Sequence, residues 1–166
     1  MDVLIRKVLQ EDIVRLAEIE EVCFPEEEAA SLKTIQERYS AFSENFLAAE
    51  AGGKIVGFIN GCATNSAFLY DALYHDAREH VPDGKYLTVF GLDVLPDYQR
   101  KGIAAMLMEQ YIQKSMSERR KGIILTCKDH LVHYYEKFGF TSGGVSESSH
   151  GGAVWYDMLL DLELKK

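Results

Sequence analysis

Gln99-Arg100-Lys101-Gly102-Ile103-Ala104 is the stretch on which the reading of this chain turns. It stands between two segments of opposite character. Before it, Tyr86-Leu87-Thr88-Val89-Phe90-Gly91-Leu92-Asp93-Val94 is dense in β-branched and aromatic residues, the composition of a strand. Pro96 then ends that strand, because proline has no N–H to give to a ladder. After it, Ile103, Met106, Leu107 and Tyr111 recur at helical spacing. The stretch is therefore a glycine-containing turn at a helix N-terminus. The first N–H groups of a helix have no intrahelical partner, and the helix dipole places partial positive charge there. Such a turn suits a phosphate or pyrophosphate. Arg100 and Lys101 add charge, and Gly102 lets the backbone approach closely. Read alone, the same letters also describe an ordinary strand-to-helix connection with two solvated basic residues. No Gly-Lys-Ser or Gly-Lys-Thr follows at Walker spacing, and the three-glycine dinucleotide fingerprint is missing. The phosphate has to belong to some other cofactor.

A second segment narrows that choice. Gly122-Ile123-Ile124-Leu125-Thr126-Cys127 reads as a buried strand, and Asp129 to Lys137 as a short helix. Gly139 sits where a helix C-terminus favours a left-handed residue. Taken in order, Leu92-Asp93-Val94, Pro96, Tyr98-Gln99-Arg100-Lys101-Gly102-Ile103-Ala104 and Tyr135-Glu136-Lys137-Phe138-Gly139-Phe140 resemble the GNAT superfamily of acetyl-CoA-dependent N-acetyltransferases. The joint match covers residues 86–141.

Composition bounds the rest. A chain of 166 residues is long enough for one domain with a sizeable core, so residues 1–166 are expected to form a single acetyltransferase domain. Apolar residues make up 47% of it, which argues for a globular protein rather than disorder. No run approaches the ~18 apolar residues of a membrane helix. The start lacks the charged-then-apolar pattern of a signal peptide, so a cytoplasmic protein without membrane partners is expected. Cys23, Cys62 and Cys127 are odd in number and widely spaced, the pattern of small buried hydrophobes rather than of a zinc site or disulfide framework. The five histidines form no metal-ligand set, and no metal is expected. A net charge of −8 argues against non-specific nucleic-acid binding and suits a cationic small molecule.

Along the chain, residues 2–8 read as a strand, and Ile13, Leu16, Ala17, Ile19 and Val22 as the stripe of a helix over 11–23. Pro25 redirects the chain, and Ser31 is a possible N-cap for a second helix reaching Phe42. Residues 45–51 and 54–63 form a hairpin about Gly52-Gly53. Residues 64–85 are read as an insertion with a short helix, and residues 138–147 and 153–161 as two closing strands. This order predicts an α+β protein around a mixed sheet. The resemblance implies the GNAT fold: a mixed, mostly antiparallel central sheet of about seven strands with a splayed central pair, flanked by about four helices. Gly91 is then a bulge or kink that helps the splay, or simply a packing glycine.

The resemblance also implies the chemistry. Acetyl-CoA would be the cosubstrate, with the backbone of Leu92, Asp93 and Val94 pairing with its pantetheine arm. Its pyrophosphate would lie on the turn formed by Gln99, Arg100, Lys101, Gly102, Ile103, Ala104 and Ala105. Tyr135 matches the tyrosine that protonates the departing thiolate, and a phenol of pKa ~10 is a reasonable acid for that task. It is alternatively a ring packed on the cofactor. Tyr134 leaves the helix ~100° away, so both cannot face the thioester. Phe24-Pro25 with the following acidic residues and Ala29-Ala30-Ser31, together with Leu125-Thr126-Cys127-Lys128-Asp129, resembles the arylalkylamine and polyamine branch. The two histidines that relay protons in vertebrate arylalkylamine enzymes would fall at Thr88 and Phe90, so that relay is missing. Other members use a glutamate near the first helix, and Glu28 is the best positional match, then Glu27. The run Glu26-Glu27-Glu28 is otherwise a solvated acidic loop. Asp93 is a further candidate, if it points from the strand end into the cleft. The expected reaction is direct attack by a small primary amine in a ternary complex, without a cysteine nucleophile. A peptide acceptor and a CoA-binding module without turnover are the alternatives. The family's members are monomers or homodimers.

Overall fold

Gly52 and Gly53 turn the chain back on itself with φ of 59° and 80°, the left-handed geometry of a two-residue hairpin turn. They join β2 (Leu47–Ala51) to β3 (Lys54–Asn60) in antiparallel register, with an irregularity at Ala49/Glu50. The structure is a computed structural model that describes residues 2–165. The remaining elements are β1 (Val3–Lys7), α1 (Ile13–Cys23), α2 (Leu32–Phe42), β4 (Ala63–Thr64), α3 (Asp71–His75), β5 (Tyr86–Thr88), β6 (Gly91–Val94), α4 (Ile103–Ser117), β7 (Gly122–Cys127), α5 (Val132–Glu136), β8 (Thr141–Val145) and β9 (Tyr156–Asp161). This is the mostly antiparallel α+β architecture expected. The strands number nine among the described residues, and they divide between a four-stranded and a five-stranded sheet. No described helix is long and apolar enough to cross a membrane.

The chain forms two compact units, one running to Gly61 and including Gly91–Gln113, the other made of Cys62–Phe90 and the chain from Lys114 onward. In the first, the strands lie in the order β1-β2-β3-β6, all antiparallel. Of the helical stripe read from the sequence, Ile13, Leu16 and Ile19 of α1 are buried, whereas Val22 is exposed; α1 lies against β3, β6 and α2. Ser31 caps α2 as expected, its Oγ accepting the N–H of Thr34 at 3.2 Å. Ile35 and Phe42 of α2 join Phe46, Phe58 and Ile59 in the core.

In the second unit the order is β4-β5-β7-β9-β8, with β5 and β7 parallel and the other pairs antiparallel. Leu69, Leu73, Leu87, Ile123, Leu125, Met158 and Leu160 are buried. Buried Arg120 ties the insertion down by donating to the carbonyls of Gly84 at 2.5 Å and Pro82 at 3.3 Å.

Two elements differ from the expected ones. The run 86–94 is two strands, not one. Val89 still donates to the Ile124 carbonyl at 2.9 Å, whereas Leu95 donates to Val56 at 2.9 Å. Each half thus pairs with a different sheet, and the chain leaves the ladder between them. The strand expected from residue 138 begins only at Thr141. Phe138 and Gly139 still donate to Tyr135 and Glu136, at 3.0 and 2.9 Å, and Gly139 takes the left-handed φ of 104° expected after a helix.

Gly57 is where β3 receives β6. A Cβ there would lie 2.5 Å from the Asp93 carbonyl oxygen and 3.2 Å from Val94 Cγ2. Backbone cannot give way as a flexible side chain can, so Gly57→Ala is expected to destabilise the fold by ~1–3 kcal/mol. Urea denaturation followed by far-UV circular dichroism reads this as a lower midpoint with an unchanged m-value.

Candidate functional site

Strand β6 ends the four-stranded sheet, so one of its edges has no partner strand within that sheet. Antiparallel pairing alternates, and Leu95 bonds to Val56, which assigns the groups facing β3 to Asp93 and Leu95. Leu92 and Val94 therefore turn their N–H and C=O groups to the outer edge. Asp93, expected with them, directs its backbone at Phe58. The Val94 carbonyl is already engaged, by the Cys23 thiol at 3.4 Å and by Gln99 Nε2 at 2.9 Å. Gln99 thus folds back to close the connection between β6 and the turn.

After Pro96–Tyr98, Arg100 adopts φ 62° and Gly102 φ 82°. These two left-handed residues bend the chain into α4, whose first bond runs from the Met106 N–H to the Gly102 carbonyl at 3.0 Å. The N–H groups of Ile103, Ala104 and Ala105 precede that bond and have no carbonyl within the helix to meet. Arg100, Lys101 and Gly102 are exposed, whereas Ile103 is buried and anchors the helix start. A Cβ on Gly102 would meet no atom within 4 Å, so the space above the turn is open. Open space, unmatched N–H groups and two exposed cations fit a pyrophosphate.

The acidic run lies in the same unit, on the connection from α1 to α2. Glu28 and Ala29 both donate their N–H to the Pro25 carbonyl at 2.9 Å. The Ala30 N–H is held by Glu20 Oε2 at 2.9 Å. Glu26 and Glu27 are exposed and Glu28 is half-buried.

Asp93 does not point into a cleft. Its side chain is 1% exposed and turns towards α1, where it meets the Glu20 carboxyl, itself 6% exposed. Burial first, and then the adjacent Glu20 charge and hydrogen bond, hold the Asp93 carboxyl well above the usual carboxylate range, with Cys23 adding to the rise and Arg38 opposing it. The same region pushes the Cys23 thiol up to about 11, mainly through burial and then through Glu20. Gly91 serves this cluster: a Cβ on it would lie 2.7 Å from Asp93 Oδ1 and 3.4 Å from Glu20 Oε1.

Tyr135 belongs to the second unit. It is 9% exposed, with its ring edge-on to Tyr134 at 5.2 Å and Phe140 at 5.9 Å. Tyr134 is half-buried, which raises its hydroxyl pKa. Thr88 is buried and its Oγ1 accepts the Cys62 N–H at 2.9 Å. Cys62 and Cys127 are buried and belong to no disulfide, and Cys127 is pushed up to about 11, mainly by burial. Of the insertion's aromatics, Phe68 is exposed. Tyr74 lies flat on His150, 5.2 Å between centroids and 3° between planes, and its hydroxyl bonds Thr126 Oγ1 at 2.5 Å.

Sequence reasoning missed Glu20, Arg38 and His150. The first two carried a signal: Glu20 falls four residues after Leu16 and Arg38 three after Ile35, so each is a charged residue on a buried helical stripe. His150 lay in a polar loop and carried none.

Against known proteins, the profile of the Acetyltransferase (GNAT) family matches residues 13–140. The chain is 26% identical over 133 residues to the uncharacterized N-acetyltransferase YkwB of Bacillus subtilis, an alignment spanning 72% of this chain and 58% of that protein's length. Among solved structures it resembles the loading GNATL domain of CurA from Lyngbya majuscula, with a TM-score of 0.85 at 14% identity, covering 99% of this chain and 100% of that one. It also resembles the GphF GNAT-like decarboxylase in complex with isobutyryl-CoA, with a TM-score of 0.80 at 17% identity, covering 96% and 99%. Those two likenesses speak for the fold alone, and the profile match extends to the turn and the β6 edge described above: this chain belongs to the acetyltransferase (GNAT) family.

Proposed function

We propose that this chain transfers the acetyl group of acetyl-CoA to a small primary amine by direct attack, residues 1–166 acting as one catalytic domain. The observation that carries the reading is the turn at Arg100–Gly102. Its left-handed residues, exposed cations and unmatched helical N–H groups stand beside the outward edge of β6. The N–H groups of Ile103, Ala104 and Ala105, with Arg100 and Lys101, would hold the pyrophosphate. Leu92, with the Val94 N–H, would hold the amides of the pantetheine arm. Bound there, the cosubstrate supplies an activated thioester. The solved decarboxylase of this fold holds isobutyryl-CoA, which supports a CoA thioester as the donor.

The chain's own residues supply the proton steps. An alkylamine with a pKa near ~10 arrives charged and has to lose a proton before it attacks. Glu28, half-buried at the end of the acidic run, accepts that proton directly or through water. Tyr135 donates to the departing thiolate. The acidic loop and the net charge of −8 favour a cationic acceptor of the arylalkylamine or polyamine class. Thiol release from acetyl-CoA, measured across arylalkylamines, polyamines and peptides, tests this. Turnover with small amines is expected. Turnover with peptides alone would replace the acceptor class, and binding without turnover on any acceptor would replace catalysis with a binding role.

Glu28→Gln is expected to slow turnover by ~10²-fold at neutral pH without changing acetyl-CoA affinity. The loss shrinks as pH rises, because more of the amine is already neutral. Glu27→Gln, at an exposed position, should leave the pH–rate profile as in the wild type. If Glu28→Gln instead raises KM for the amine with kcat preserved, and salt mimics it, Glu28 attracts the cation and does not take its proton.

A further inference from the structure

Glu20 and Asp93 have no place in the acid–base scheme above, yet they are the most unusual groups in the first unit. Among the described residues, neither oxygen of the buried Asp93 carboxyl meets a hydrogen-bond donor, and the group that acts on it most strongly is the carboxyl of Glu20. Two carboxylates have only acceptor oxygens, so a hydrogen bond between them exists only when one carries a proton. The charges around them agree. Arg38 from α2 is buried at 8% exposure and its charge acts on Asp93. Cys23 from α1 has its thiol pKa raised, to about 11, and stays neutral. Asn60 from β3 is neutral and buried. Arg38 offsets part of the negative charge on Asp93, and a proton on the carboxyl removes its repulsion with Glu20.

The two oxygens of Glu20 are divided between two tasks. Oε2 accepts the Ala30 N–H at 2.9 Å. Oε1 lies on the Gly91 side, where Asp93 Oδ1 also lies, 3.4 and 2.7 Å respectively from the place a Gly91 Cβ would take. A single side chain therefore joins the strand that ends at the turn to the loop that carries Glu28. Within that loop, Glu28 and Ala29 donate their N–H groups to the Pro25 carbonyl.

We propose that Glu20 and Asp93 share one proton and together act as positioning residues, fixing the Pro25–Ser31 loop on β6 and so setting where Glu28 meets the amine. The role of the loop rests on the reading of Glu28 given above; the shared proton does not. With the proton in place, Glu20 bridges Asp93 and Ala30. Without it, two like charges face each other in a dry interior, and the bridge loosens.

Infrared spectroscopy and amide exchange test the pair without requiring turnover. The wild-type protein at neutral pH should show the C=O stretch of a buried protonated carboxylic acid. Either Asp93→Asn or Glu20→Gln should remove that band, because each amide donates the hydrogen bond that the proton supplied. The Ala30 amide should stay protected in Glu20→Gln, whose Oε1 still accepts its N–H, and lose about tenfold or more of its protection in Glu20→Ala. In the wild type, protection corrected for the intrinsic rate should fall as pH rises and the band disappears; it should not fall in Glu20→Gln. The folded chain holds this proton more tightly than the unfolded chain, so wild-type Tm should decline as pH rises above the ordinary aspartate range, and Asp93→Asn should lose that part of the decline. Absence of the acid band at neutral pH, or Ala30 protection indifferent to its loss, overturns the proposal. With an accepted amine in hand, Glu20→Ala should raise its KM about tenfold with acetyl-CoA affinity unchanged, and Glu20→Gln should restore it. A shared proton with no effect on amine KM would retain the pair and reject the role given to Glu28.

Discussion

Gly102→Asp is expected to lower acetyl-CoA affinity by about a hundredfold while the chain still folds. Three effects act in the same direction. Gly102 stands at φ 82°, where a side chain costs ~1–2 kcal/mol. Its Cβ would project into space with no atom within 4 Å, so the new carboxylate meets no steric bar to occupying the place above the turn. There it satisfies the N–H groups of Ile103 and Ala104 and competes with the phosphate for them. A negative charge at a helix N-terminus favours the helix, which is why folding survives. Gly102→Ala separates these effects, since it carries the backbone strain alone and should lose about tenfold or less in affinity. Isothermal calorimetry on both variants reads the result. Unchanged affinity in a folded Gly102→Asp protein would remove the turn from the cofactor site.

Tyr135→Phe is expected to slow the chemical step by ~10²-fold or more with acetyl-CoA affinity nearly unchanged. The ring is buried, edge-on to Tyr134 and Phe140, and phenylalanine keeps those contacts. What the substitution deletes is the hydroxyl that, in the proposed mechanism, gives its proton to the thiolate. Single-turnover thiol release measures that step apart from product release. Tyr134→Phe is the control, and its rate should stay near the wild type. A wild-type rate in Tyr135→Phe would reduce the residue to packing, and a loss in Tyr134→Phe would move the acid to its neighbour.

Much of this architecture was legible in the amino-acid order, because it rests on local rules. The apolar stripes of α1 and α4, the Ser31 cap, the Gly52-Gly53 turn and the left-handed Gly139 each depend on residues within a few positions of one another. The turn at Gly102 was legible for the same reason: a strand, a glycine and a helical stripe in succession leave little choice of local geometry. The charged residues on buried stripes, Glu20 and Arg38, were visible but not their meaning. Tertiary structure decided what local rules do not reach. It split the run 86–94 into β5 and β6, since which strand each half pairs with depends on residues far away in the chain, Val56 and Ile124 among them. It turned Asp93 from one candidate base into a buried neighbour of Glu20, because burial and the approach of a second carboxyl set the protonation of the first. An isolated sequence carries the periodicity of each element, but the dielectric and charge around a side chain are properties of the packed interior, and only packing brings α1, α2 and β6 to the same place.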